Sequence, residues 1–488
     1  MSAAEPWSRR AVLAGGLGLG VVALGGAGTN DEPVSGLQVL RGIRYATARR
    51  FMAPQRLAWS PGKHTGAGGF GPACPQPGTR YLPQDEDCLT LNLWAPRVRA
   101  VRPRPVMVYF HGGAYSTGSV ADPLNDGAAL AARGDVVVVT VNHRLNAFGY
   151  LYLARLMPQY PDSGNCGQLD LVCALQWVQE HIATFGGDPD NITVFGQSGG
   201  GAKIATLMAM PAARGLFHKA ITMSGQQVTA SGPLNATRRA EAFLQQLGPD
   251  VDPATAPAAA LVAALRAIDP ILGGGVYMGP VLDQRHLHRH PFWPDAAPQG
   301  NAIPMLLGNT IAETRAFFPA GHALLQGLEW SNLARRAGPE MKVDLNPEWV
   351  VEQFRERYPQ DSPEQLFHRI VTAGRSWRGQ VEEADARARA GARHTWVYQL
   401  DFEQAQHTDD IGLAFGTVVD PTPARLAMSE RLMQAFVRFA HEGTPGWSRY
   451  ALPRRATMVF DAVSRVVDDP RRWERELFAR VPYIQPGS

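Results

Sequence analysis

Short apolar runs punctuate the chain, each closed by glycine or a polar turn. PVMVYF (105–110), DVVVVT (135–140) and NITVFG (191–196) are rich in β-branched and aromatic residues, the pattern of parallel strands buried on both faces. Between the second and third, DLVCALQWVQEHIATF sets Leu171, Ala174, Leu175 and Val178 on one face at helical spacing, which predicts a crossover helix. Residues 234–268 and 322–392, rich in Ala, Glu, Arg and Leu, predict further helices, the second block as a cap over one end of the sheet. This alternation predicts an α/β fold: a central, mostly parallel, twisted sheet with helices on both faces. No repeat or low-complexity linker divides it, so residues 31–488 are read as one domain with cap-like helical segments.

Ahead of residue 31 the pattern changes. SRRAVLAGGLGLGVVALGGAG (8–28) sets an arginine pair before an uncharged, glycine-rich apolar stretch that looks like a twin-arginine export leader. Its glycines weaken a helix and roughly 18 apolar residues are marginal for a span. Residues 1–30 are therefore expected to be a leader, with no stable membrane span once it is removed, and the protein to be periplasmic or secreted.

Of 488 residues, 45% are hydrophobic and 19% charged, enough to bury a large core and to exclude a disordered chain. The net charge of +3 is spread without runs of one sign, which argues against a nucleic-acid partner. Lysine stands only at Lys63, Lys203, Lys219 and Lys342, a compositional bias to which no mechanistic weight is given. Cys74 and Cys88 lie in loop-like sequence, where a bridge would close a loop of 15 residues and contribute roughly 3 kcal/mol. Cys173 falls in the helical pattern, where a small buried apolar role is expected, and pairing with Cys166 is not.

Candidate chemistry centres on VFGQSGGG (194–201), a strand end, a turn with Ser198 at its apex, and then the apolar helical run AKIATLMAM. Glycines at 196 and 200 remove Cβ atoms that would collide in so tight a reversal, leaving the hydroxyl exposed beside a helix N-terminus and the Gly199 amide. A serine hydroxyl needs a base, and histidine suits that task near neutral pH. HGGAY (111–115), directly after PVMVYF, offers backbone amides for a developing negative charge.

Together with these, GIRYA, FGPACPQ, EDCLTLNLW, VNHRLNAFGY, GNCGQLD, AITMSG, GPVLD, LLGNTIAET and HTDDIGLAFG follow one another in order. From about Leu37 onward the chain resembles the type-B carboxylesterase and cholinesterase-like family of α/β-hydrolases. The resemblance implies a serine carboxylesterase working through an acyl-enzyme, with an amidase or lactonase of the same fold as the runner-up and a non-catalytic binding protein as the remote alternative. It implies a small-molecule ester as substrate and neither a metal nor an organic cofactor.

Residue by residue, it implies Ser198 as nucleophile, Glu313 as acid and His407 as base, with oxyanion amides at Gly113, Ala114 and Gly199 and with Gly112 in the same turn. Ser224 matches a buried second serine that can hydrogen-bond the acid, and Cys74 and Cys88 match the first disulfide loop. Asp409 and Asp410 are rival acids by proximity to His407, disfavoured because side chains so close along one loop seldom face the imidazole. His111 and His143 are expected to be structural, and His286, His288 and His290 in RHLHRH to form a solvated basic loop rather than a metal site.

Three departures bear on substrate. Ala114 stands where the family usually has a third glycine, so its methyl narrows the pocket and restricts φ. Gln197 replaces the usual glutamate beside the nucleophile, and the loop between Cys74 and Cys88 lacks the choline-binding tryptophan of cholinesterases. Choline esters are thus expected to be poor substrates.

Overall fold

Ten strands build one sheet in the computed structural model, which describes residues 36–60, 69–98, 100–485 and 487. The expected leader, residues 1–30, lies outside the described residues. The strands are β1 (Leu37–Arg44), β2 (Thr90–Pro96), β3 (Arg104–Phe110), β4 (Val137–Val141), β5 (Gly187–Gln197), β6 (Lys219–Met223), β7 (Met305–Thr310), β8 (Thr395–Leu400), β9 (Ala456–Phe460) and β10 (Arg465–Asp468). Their order across the sheet is β1-β2-β4-β3-β5-β6-β7-β8-β9-β10. The pairs from β4 through β9 are parallel, while β1 and β2 on one side and β10 on the other run antiparallel to their neighbours.

The three apolar runs are the strands β3, β4 and β5, with shifted ends. NITVFG is the second half of an 11-residue strand that begins at Gly187. Asp135 and Val136 precede β4, because Asp135 closes helix α1 (Ala128–Gly134) at a left-handed φ of 48°. Along β3 the side chains alternate between two cores: Val106, Val108 and Phe110 join one apolar cluster, Met107 and Tyr109 the other. The first cluster takes Leu171, Ala174, Leu175 and Val178 from helix α2 (Cys166–His181) and Ile204 from α3 (Gly199–Leu207).

The block 322–392 is helical but is not all cap. Helices α4 (Leu333–Met341), α5 (Pro347–Arg357) and α6 (Pro363–Val371) share a third apolar cluster that includes Leu333, Phe354, Leu366 and Phe478. Helix α7 (Arg378–Arg389) instead packs Ala384 and Ala386 into the first core. There the buried Arg387 donates to the carbonyls of Gly300 and Ile303 and to Oγ1 of Thr395, which ties the helix to the sheet. On the opposite face, the second core takes Leu413 from α8 (Asp409–Phe415) and Leu432 and Phe436 from α9 (Pro423–Glu442).

Five neighbouring strands deliver the chemistry, all from their carboxyl ends. The turn 111–114 follows β3, Ser198 follows β5, Ser224 follows β6, Glu313 lies beyond β7 and His407 beyond β8. Parallel strands end on the same side of a sheet, so residues far apart in sequence meet in one crevice.

Candidate active site

Ser198 has φ 55° and ψ −124° between β5 and α3, a strained conformation for a residue with a side chain. Backbone on every side enforces it. The Ser198 amide donates to the Met223 carbonyl at 2.7 Å, a Cβ on Gly200 would lie 1.9 Å from the Phe110 carbonyl oxygen, and one on Gly225 would lie 1.9 Å from that of Ser198. Only glycine fits at these approaches. The serine side chain is left half-buried, and its hydroxyl makes no hydrogen bond among the described residues.

Beside it runs the turn from His111 to Ala114. Gly113 and Ala114 both take left-handed conformations, with φ of 86° and 54°. Among the described residues the amides of Gly113, Ala114 and Gly199 find no backbone acceptor. Three unsatisfied donors on one strained turn and one helix N-terminus favour a negative oxygen held between them.

Glu313 is fully buried, and four groups address its carboxylate. Nδ1 of His407 contacts Oε2, while Oε1 accepts from Ser224 Oγ at 2.5 Å, the Thr310 amide at 2.8 Å and Asn309 Nδ2 at 3.1 Å. Burial alone would push this carboxyl up, but the His407 imidazole and these hydrogen bonds hold it below the usual carboxylate range. The carboxylate thereby orients the ring and favours the tautomer with a proton on Nδ1, leaving Nε2 as the basic nitrogen. Nε2 lies 3.3 Å from the Gln197 side-chain nitrogen, and no hydrogen bond joins it to Ser198. The Phe317 ring packs against the imidazole at 4.7 Å between centroids. Asn309 and Phe317 were not singled out from sequence, although Asn309 stands inside the GNTIAET motif.

The rival acids are engaged elsewhere. Asp409 accepts from the Gln406 amide at 2.9 Å. Asp410 is buried and accepts from the Tyr398 hydroxyl at 3.2 Å, and burial, then Glu313, pushes its carboxyl up to about 7. The histidines of RHLHRH have separate surroundings and do not form a uniformly solvated loop. His286 lies 2.9 Å from an Asp162 oxygen and His290 accepts from the Ala230 amide at 3.1 Å, both half-buried, while His288 is exposed. All four cysteines are buried free thiols in this structure, which does not show the expected Cys74–Cys88 bridge. The Cys88 thiol is nonetheless pushed up first by a hydrogen bond with Cys74 and then by burial, which sets the two side by side.

A family model described as the carboxylesterase family matches residues 24–461. The chain belongs to that family. It is a carboxylic ester hydrolase of the α/β-hydrolase fold. It is 33% identical over 482 residues to the para-nitrobenzyl esterase of Bacillus subtilis (strain 168), covering 91% of this chain and 95% of that protein. The solved structure of the Geobacillus stearothermophilus carboxylesterase EST55 superposes with a TM-score of 0.80 at 36% identity, over 91% of this chain and 96% of that one. An esterase from Clostridium hathewayi, described as able to hydrolyse aliphatic aromatic polyesters, superposes at 0.72 with 31% identity, over 91% and 95%. The carboxylesterase presents its candidate site at the carboxyl edge of its large sheet, and no helix among the described residues is long and apolar enough to cross a membrane.

Proposed function

We propose that this carboxylesterase cleaves esters by two acyl transfers at Ser198. The hydroxyl oxygen attacks the ester carbonyl carbon while Nε2 of His407 takes its proton, and the carbonyl electron pair moves onto oxygen to give a tetrahedral oxyanion. The amides of Gly113, Ala114 and Gly199 receive that charge. Collapse expels the alkoxide, which His407 protonates, and leaves an acyl-serine that water cleaves by the reverse sequence. Glu313 keeps the imidazole oriented and stabilises its charged form, and Ser224 orients Glu313. The observation that carries this reading is the buried contact between Glu313 and His407, which leaves Nε2 beside the residue preceding Ser198.

Neutral esters are the proposed substrates, because the Gln197 side chain adds no negative charge to attract a quaternary ammonium. The runner-up reading, an amidase or lactonase, is tested by turnover of p-nitrophenyl butyrate against the matched anilide and a lactone. The ester is expected to exceed the anilide by about 10³-fold or more, because an amine is a far poorer leaving group than a phenolate. Comparable rates would favour the amidase.

Export through a leader within residues 1–30 and a Cys74–Cys88 bridge in the mature protein complete the proposal. Intact mass of the protein recovered outside the cytoplasm tests both, the leader being lost and two hydrogens missing. A full-length mass with four thiols would refute them.

A further inference from the structure

We propose that Lys203 is a positioning residue for the oxyanion amides, an assignment that rests on the roles given above to Gly113, Ala114 and Gly199. Lys203 stands on α3 one turn beyond Gly199, on the same helical face. At Gly199 the missing side chain admits the neighbouring turn, since a Cβ there would lie 2.1 Å from the Ala114 carbonyl oxygen. Nζ of Lys203 reaches that same oxygen and donates to it at 2.8 Å, and it donates to the His111 carbonyl at 3.2 Å. Neither carbonyl has another partner among the described residues. The two oxygens flank the peptide units that carry the Gly113 and Ala114 amides, so one amine ties down both ends of the turn.

This turn needs a tie. Ala114 holds a left-handed φ of 54°, a conformation that strains a residue with a Cβ, and its amide can serve an oxyanion only while that conformation persists. Nζ is fully buried, with the Tyr115 ring centroid 5.4 Å away and the His111 and His143 rings nearby. No carboxylate among the described residues pairs with it, and burial pushes the amine down to about 7. An amine keeps two N–H donors after losing its proton, so both carbonyls stay served on either side of neutrality. An unpaired buried lysine is a poor device for stability alone; here its donors go to the two carbonyls that shape the oxyanion turn.

The test compares Lys203→Met and Lys203→Gln with the parent enzyme on p-nitrophenyl butyrate. A trifluoromethyl ketone, whose hydrate-like serine adduct carries the oxyanion, supplies a second readout. Lys203→Met is expected to lower kcat by about 30-fold or more with KM within about threefold, and to weaken the ketone by a similar factor, since loss of an oxyanion donor itself costs about 10²–10³. Lys203→Gln, which keeps an N–H donor, is expected to recover part of both. A loss confined to KM, or a kcat within threefold of the parent, overturns the assignment, as does failure of both variants to fold. If instead the parent enzyme is insensitive to the ketone, the oxyanion roles of Gly113, Ala114 and Gly199 are what fail.

Discussion

Nε2 of His407 lies 3.3 Å from the side-chain nitrogen of Gln197, the residue immediately before Ser198. With Nδ1 turned to Glu313, Nε2 is the nitrogen that the proposed mechanism uses to take the serine proton, and the Gln197 amide lies against it. The amide therefore has to yield to the serine hydroxyl during turnover. A carboxylate in its place would favour the imidazolium electrostatically. Gln197→Glu is expected to move the acid limb of kcat/KM to higher pH and to raise turnover of butyrylthiocholine several-fold relative to a neutral thioester. An acid limb that stays in place would show that the side chain at 197 does not address the base.

Ala114 holds a left-handed φ of 54° in the turn proposed to bind the oxyanion, and its methyl is expected to narrow the alcohol side of the pocket. Replacing it by glycine removes a methyl and the penalty of its positive φ. Ala114→Gly is expected to raise the turnover of tert-butyl acetate relative to ethyl acetate by about tenfold, an effect of about 1.4 kcal/mol. An unaltered ratio would mean that the methyl does not bound the alcohol side.

Two buried histidines give acid a destabilising contribution that begins near pH 6.5. Burial, and then Lys203, holds the His111 imidazole down at about 3, and the same two causes hold His143 well below its ordinary value. An unfolded chain protonates its histidines near pH 6.5. Between about 6.5 and about 3 the unfolded state therefore binds more protons, and stability falls as pH falls, by up to about 1.4 kcal/mol per pH unit for each such group. The Glu313 carboxyl, held below its ordinary range, contributes stability that is present above the ordinary glutamate value and lost only at lower pH. Asp410, pushed up to about 7, and Glu383, pushed up to about 8, act in the opposite sense over this range, so the prediction is differential: His143→Phe is expected to lessen any fall in calorimetric Tm between pH 7 and 5 relative to the parent enzyme. A pH dependence of Tm left unchanged by that substitution would show that His143 is charged in the folded protein.

Much of this architecture is written in short-range pattern. β3, β4 and β5 announce themselves because both faces of each are buried, so no polar alternation interrupts the apolar run. Gly200 and the strained Ser198 are equally legible, since few residue types survive those backbone contacts. The division of residues 322–392 is not, because α7 leaves the cap through Arg387, whose partners Gly300 and Ile303 are remote in sequence. Lys203 is hidden for the same reason: one lysine in an apolar helix gives no sign that its amine faces two carbonyls some 90 residues earlier. Composition alone left it without a role.

The central claim, that hydrolysis proceeds through Ser198, is tested most directly by kcat for p-nitrophenyl butyrate in Ser198→Ala, with fold and melting temperature matched to the parent enzyme. Loss of the hydroxyl proposed to form the acyl-enzyme is expected to lower kcat by at least about 10⁴-fold. A variant that retains a tenth or more of the parent rate would contradict the account.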